Sequence, residues 1–118
     1  MSESFRNLMV WQKAIESSKR IYRITQSFPK EEVYGMTSQI RRASVSIAAN
    51  IAEGSQRSTS KDFANFLRIA DGSAAELETM FLIAKDLFPE STAMLETELD
   101  NLKEIQKMLG SLIRKVKP

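Results

Sequence analysis

The 118-residue sequence has no cysteine and no histidine. Without cysteine there is neither a disulfide framework nor thiolate chemistry. Without histidine, the commonest general base and the commonest metal ligand go together. Four glycines and three prolines leave few turns, which favours a few long helices over many short strands. No run of about 18 apolar residues is present, so no membrane-spanning helix is expected. The segment Met1-Ser2-Glu3-Ser4-Phe5-Arg6 lacks the apolar stretch of a signal peptide, and the expected location is the cytoplasm. Gly54 and Gly72 are isolated, so there is no glycine-rich phosphate loop. A carboxylate-bridged metal site in a helix bundle ordinarily uses Glu-x-x-His, which this chain cannot supply. Glu76 and Glu78 are two positions apart and face different directions on a helix. No Ser/Lys pair stands out. The chain therefore reads as a non-enzyme with no catalytic residue, no metal and no cofactor.

What is present is a set of long helical patterns separated by punctuation. One domain spans residues 1–118, with helices expected at about 8–28, 36–54, 60–88 and 91–116. In the first, Trp11, Ala14, Ile15, Ser18, Ile21, Tyr22, Thr25 and Phe28 recur on one face. Glu16 and Arg20 form an i,i+4 pair on the wet side. Pro29 ends this helix and Pro89 ends the third. The third opens with Thr59 and Asp62 at capping-box spacing and carries a seam from Phe63 through Leu67, Ala74 and Phe81 to Phe88. Gly72 inside it marks a close helix crossing or a slight kink. The fourth buries Leu95, Leu99, Leu102, Ile105, Leu109, Leu112 and Val116. Its Glu96, Glu98 and Asp100 come early and its Arg114, Lys115 and Lys117 late, as the helix dipole favours. Short connections force antiparallel neighbours, so the expected fold is all-α, an up-down-up-down antiparallel four-helix bundle.

The second helix is the unusual one. Between Met36 and Gly54 its only charges are Arg41, Arg42 and Glu53. Met36, Ala43, Ser44, Ile47 and Ile51 fall within about 60° of Ile40 and form a core seam. Gln39, Arg42, Ser46, Asn50 and Glu53 fill a separate polar arc. Arg41, Val45, Ala48 and Ala52 lie on the remaining side, where small residues admit another backbone. The polar arc serves as a buried network inside the bundle, as a subunit interface, or as a surface in direct contact with a ligand. Arg42 and Glu53 are too far apart along the helix to pair, so each needs a partner elsewhere. Gly54 suits a left-handed helix stop.

Charge is uneven. Residues 1–57 hold nine Lys/Arg against five Asp/Glu, and residues 58–118 hold eight against ten. The candidates for phosphate contact are Lys13, Lys19, Arg20 and Arg23 on the wet side of the first helix, with Arg41 and Arg57. A modest patch on each subunit of a ring would add up to a large basic surface.

Several spaced motifs match one family in order: Val10-Trp11-Gln12-Lys13-Ala14, Phe28-Pro29, Tyr34-Gly35 and Gln39-Ile40-Arg41-Arg42-Ala43, then Ser46-Ile47, Asn50-Ile51-Ala52-Glu53-Gly54, and Gly72-Ser73 with Glu76-Leu77-Glu78. The chain resembles the four-helix bundle proteins encoded in intervening sequences of bacterial 23S rRNA genes. Ala48 stands where many relatives have proline, which implies a straighter second helix. That family is similar to the accessory variability determinant of diversity-generating retroelements, a pentameric barrel that binds nucleic acid and partners a reverse transcriptase. The resemblance implies a homo-oligomer, with a pentamer as the suggested form, and RNA, DNA or a reverse transcriptase as partners. The expected activity is nucleic-acid binding through a basic surface assembled across subunits. The alternative is a protein-interaction scaffold that binds no nucleic acid.

Overall fold

Pro29 and Pro89 interrupt the helical patterns because proline lacks the N–H of a continuing turn and restricts the residue before it. A computed structural model describes residues 4–116; Lys117 of the basic C-terminal cluster lies outside them. The described residues form four helices, α1 (Met9–Thr25), α2 (Met36–Ser55), α3 (Ser60–Leu87) and α4 (Thr92–Val116), with 3₁₀ turns at Phe5–Asn7, Lys30–Glu32 and Pro89–Ser91 and no strand. The fold is all-α. Its extents of 44 × 22 × 20 Å match the length of the longest helix.

The first helix stops earlier than its pattern suggests. Beyond Thr25 the chain tightens: Gln26, Ser27 and Phe28 N–H groups donate to the carbonyls of Arg23, Ile24 and Thr25. This i→i+3 turn carries Phe28 up to Pro29. The ring of Phe28 meets that of Phe88, also placed before a proline, at 4.7 Å between centroids. At the start of α3 the Thr59 hydroxyl accepts from the Asp62 N–H at 3.1 Å, as the capping spacing predicts.

Around the bundle, α1 packs on α2 and α4, α2 on α3, and α3 on α4. Contacts pair Lys13 with Glu104, Arg20 with Glu98, and Ser27 with Ser91. Ser46 meets Ser73, Glu78 meets Gln106, and Lys85 meets Glu96. The core follows most of the expected seams on α2, α3 and α4, with Ile40, Ile51, Leu67, Leu77, Phe81, Leu95, Leu102 and Leu109 fully enclosed. Ala48, expected on the small-residue side of α2, is also in the core, and Leu112 and Val116 at the end of α4 are only half-buried.

The α1 seam is turned from its expected position. Val10, Ala14, Ser17, Ile21, Ile24 and Thr25 are buried, whereas Trp11, Ile15 and Ser18 are half-buried and Tyr22 is exposed. At the surface the Tyr22 ring meets the Arg41 guanidinium, 4.7 Å from the ring centroid. Trp11 is covered on its edge by Phe5 of the N-terminal 3₁₀ turn.

Gly54 does not terminate α2 in a left-handed conformation, since no described residue has positive φ and the helix runs on through Ser55. Its role is steric. A Cβ there would lie 2.6 Å from the Phe66 Cβ and 3.1 Å from the Phe63 Cδ1. Gly72 is the reverse case: a Cβ there would meet nothing within 4 Å, so no crossing occurs at it inside the chain. Gly72→Ala should therefore raise stability by up to about 1 kcal/mol through helix propensity. The check is a shift of the urea midpoint to higher concentration at unchanged slope.

Candidate functional site

The wet side of α1 does not offer a free basic patch. Glu98, read from sequence as one of the early acids that the helix dipole favours, has a side chain only 2% exposed. Arg20 Nε donates to its Oε1 at 2.8 Å and an Arg20 Nη2–H to its Oε2 at 3.1 Å. Ser17 Oγ donates to Oε2 at 2.8 Å and Asn101 Nδ2 to Oε1 at 3.3 Å. The hydrogen bonds to Glu98 hold the Arg20 guanidinium above its ordinary range, against a smaller opposing effect of burial. Arg20 thus forms its ion pair with Glu98, and Glu16 acts on it only through a weaker charge–charge attraction. Lys19 takes Glu16 instead, at 3.4 Å, and Lys13 pairs with Glu104 at 3.3 Å. Only Arg23 of this group has no hydrogen bond or ion pair among the described residues.

The polar arc of α2 divides into two parts. Ser46 lies 2.9 Å from Ser73 of α3, and Asn50 Nδ2 donates to the Ser46 carbonyl at 2.8 Å and hydroxyl at 3.0 Å. That part ties α2 to α3 within the chain. Gln39 and Arg42 are exposed. Glu53 finds a partner near the same helix end: Arg57 Nη2 donates to it at 2.7 Å, and the Arg57 guanidinium also lies 4.6 Å from the Phe66 ring centroid. Arg41 lies in the second turn of α2 and Arg57 two residues past its end, about 24 Å away along the axis, so one subunit does not join them into a patch.

The most distinctive surface lies between the end of α1, the following turn and the first half of α2. An open groove of about 580 Å³ is lined by Tyr22, Tyr34, Arg41, Arg42, Val45 and neighbouring residues, none of them acidic. Arg41 is fixed in place: Nε donates to Thr25 Oγ1 at 2.8 Å and Nη2 to the Tyr22 carbonyl at 3.3 Å. Arg42 has no ion pair among the described residues. Tyr34 is 95% exposed, so packing within the chain does not account for it. Sequence reasoning assigned no role to Tyr34. The signal was a tyrosine beside a glycine, in a turn between two helical seams and on neither of them.

No group of three or more acidic side chains among the described residues is placed to hold a metal ion. No helix among them is long and apolar enough to cross a membrane. Every buried side-chain polar atom among them has a hydrogen-bond partner.

Residues 6–111 match the sequence profile of the 23S rRNA-intervening sequence protein family. The crystal structure of a protein of unknown function from the S23 ribosomal protein family of Bacteroides thetaiotaomicron is similar, with a TM-score of 0.81 and 31% identity over 89% of this chain and 95% of that one. No curated protein matches the sequence.

Proposed function

Because the chain belongs to the 23S rRNA-intervening sequence protein family, we propose that it is a non-enzymatic, self-associating helix bundle that binds RNA or DNA in the cytoplasm. The cross-helix contacts support an up-down-up-down antiparallel order: 13, 20 and 27 face 104, 98 and 91, and 78 and 85 face 106 and 96. Self-association is supported by Ile83 and Leu87, exposed one turn apart near the end of α3; Ile69 is exposed on the same face about 21 Å away, beyond Glu76.

One observation carries the nucleic-acid reading. The groove on α2 holds Arg41 and the unpaired Arg42 with no carboxylate in its lining. Arg42 also borders an adjoining hollow that Glu76 lines, but the groove itself presents both guanidinium groups without a carboxylate, and such groups attract phosphates and release counterions when they bind them. A ring of copies, of which the pentamer of the retroelement accessory proteins is the pattern, would repeat this groove around its surface.

In a mobility-shift or anisotropy titration with RNA and DNA at low salt, a complex should form and weaken steeply as salt rises. Arg42→Glu should weaken it by about tenfold or more and lower the salt slope by about one. Light scattering at tens of micromolar should give a mass of several subunits. No complex with either nucleic acid would sink the binding reading and leave a protein scaffold. A clean monomer would sink the assembly.

A further inference from the structure

The geometry points to the Tyr34–Arg41–Arg42 groove as a site for single-stranded nucleic acid, in which an unpaired base stacks on Tyr34 and the adjoining phosphates meet the two arginines. This rests on the proposed nucleic-acid reading and narrows it to a site and a strand state.

Three features of the groove carry it. Tyr34 has almost its whole ring in water. An exposed aromatic face is a platform for any base, because every base has a π face. In a duplex those faces are already stacked against their neighbours, so the platform is usable only by a strand whose bases are free.

Arg41 is pre-organised. A guanidinium has five N–H donors, and Arg41 uses Nε–H and one Nη2–H on Thr25 and the Tyr22 carbonyl. Three N–H donors remain on a guanidinium that lies over the Tyr22 ring, 4.7 Å from its centroid. Little side-chain entropy is left to lose when they take a phosphate.

Local acids do not line the groove. Glu32, two residues before Tyr34, turns its Oε1 toward the Met36 N–H at 3.3 Å, where it caps the start of α2. Glu31 is not among the lining residues. The mixture of a free tyrosine, an anchored arginine and an unpaired arginine suits a flexible polyanion with π faces better than it suits an acidic peptide, which supplies charge without stacking.

The test uses the full chain and fluorescently labelled RNA of about ten nucleotides, single-stranded or annealed to its complement. The single strand should bind at least about tenfold more tightly than the duplex. Tyr34→Ala should erase that preference by weakening the single strand about tenfold or more, whereas Tyr34→Phe should keep it. Arg42→Ala should weaken both strand states and lower the salt slope. Thermal unfolding of Tyr34→Ala should match the parent, because the side chain packs on so little.

The failures are separable. Equal affinity for the two strand states, with Tyr34→Ala without effect, overturns this inference and leaves the broader nucleic-acid reading standing. No binding of either form removes both. A Tyr34→Ala protein that keeps its strand preference but loses its oligomeric mass shows that the surface is a subunit contact, and also overturns the inference.

Discussion

Gly54→Ala should destabilise the protein by about 2–3 kcal/mol, or roughly 10 °C in the thermal midpoint. Alanine is ordinarily the better helix former, by up to about 1 kcal/mol, so propensity predicts a gain. Sterics decide against it here. The added Cβ would stand 2.6 Å from the Phe66 Cβ, with the Phe63 Cδ1 at 3.1 Å and the Phe63 carbonyl oxygen at 3.3 Å. The Phe66 Cβ and the Phe63 carbonyl oxygen belong to the first turns of α3 and cannot swing aside as the end of a long side chain would. To make room, α2 and α3 must separate where Ile51 and Leu67 are fully enclosed. Chemical denaturation of Gly54→Ala and Gly72→Ala side by side is the check. The same substitution in two helices should change stability in opposite directions. A neutral or stabilising Gly54→Ala would mean that the crossing is looser than its geometry.

Arg20→Ala should cost about 2–4 kcal/mol, read from denaturant midpoints. Removing one partner of a buried ion pair leaves the other charge without compensation, which ordinarily costs about 3–5 kcal/mol. The loss here should lie around and below the lower end of that range, because only Glu98 of the pair is fully buried. The Arg20 side chain is 40% exposed, so water can reach the vacated position, and Ser17 and Asn101 still donate to Glu98. Replacing both members, as in Arg20→Met with Glu98→Met, should recover much of the loss, since apolar substitutes of similar volume do not leave a charge in the interior. The double-mutant cycle therefore separates the cost of an orphaned carboxylate from the net worth of the pair. If Arg20→Ala is silent, Glu98 is better solvated than its 2% exposure implies.

Four helices, their approximate bounds and most of their buried faces were legible in the sequence. The seams of α2, α3 and α4 repeat every three to four residues over many turns, and prolines punctuate the pattern. α1 was misread by a partial rotation. Its large residues, Trp11 and Tyr22, drew the seam toward themselves, while the buried Ser17 carried no apolar signal. Gly54 was assigned to the wrong cause, since a glycine near a helix end reads the same whether it supplies a left-handed turn or makes room for a neighbour.

The candidate site was less legible. Five of the six basic residues proposed for phosphate contact are held by groups of this chain. Lys13, Lys19, Arg20 and Arg57 each have a carboxylate, and Arg41 has Thr25 and Tyr22. The exposed pairs are weak and open to competition from phosphate, whereas the one on Glu98 is not.

By itself, then, the sequence determined the fold class and the absence of cysteine and histidine chemistry, because both follow from local periodicity and composition. The tertiary structure decided which charges are free. Ion pairing across a bundle joins residues some eighty positions apart, as in Arg20 with Glu98, and no periodic pattern along the chain encodes which side chains of two helices will meet.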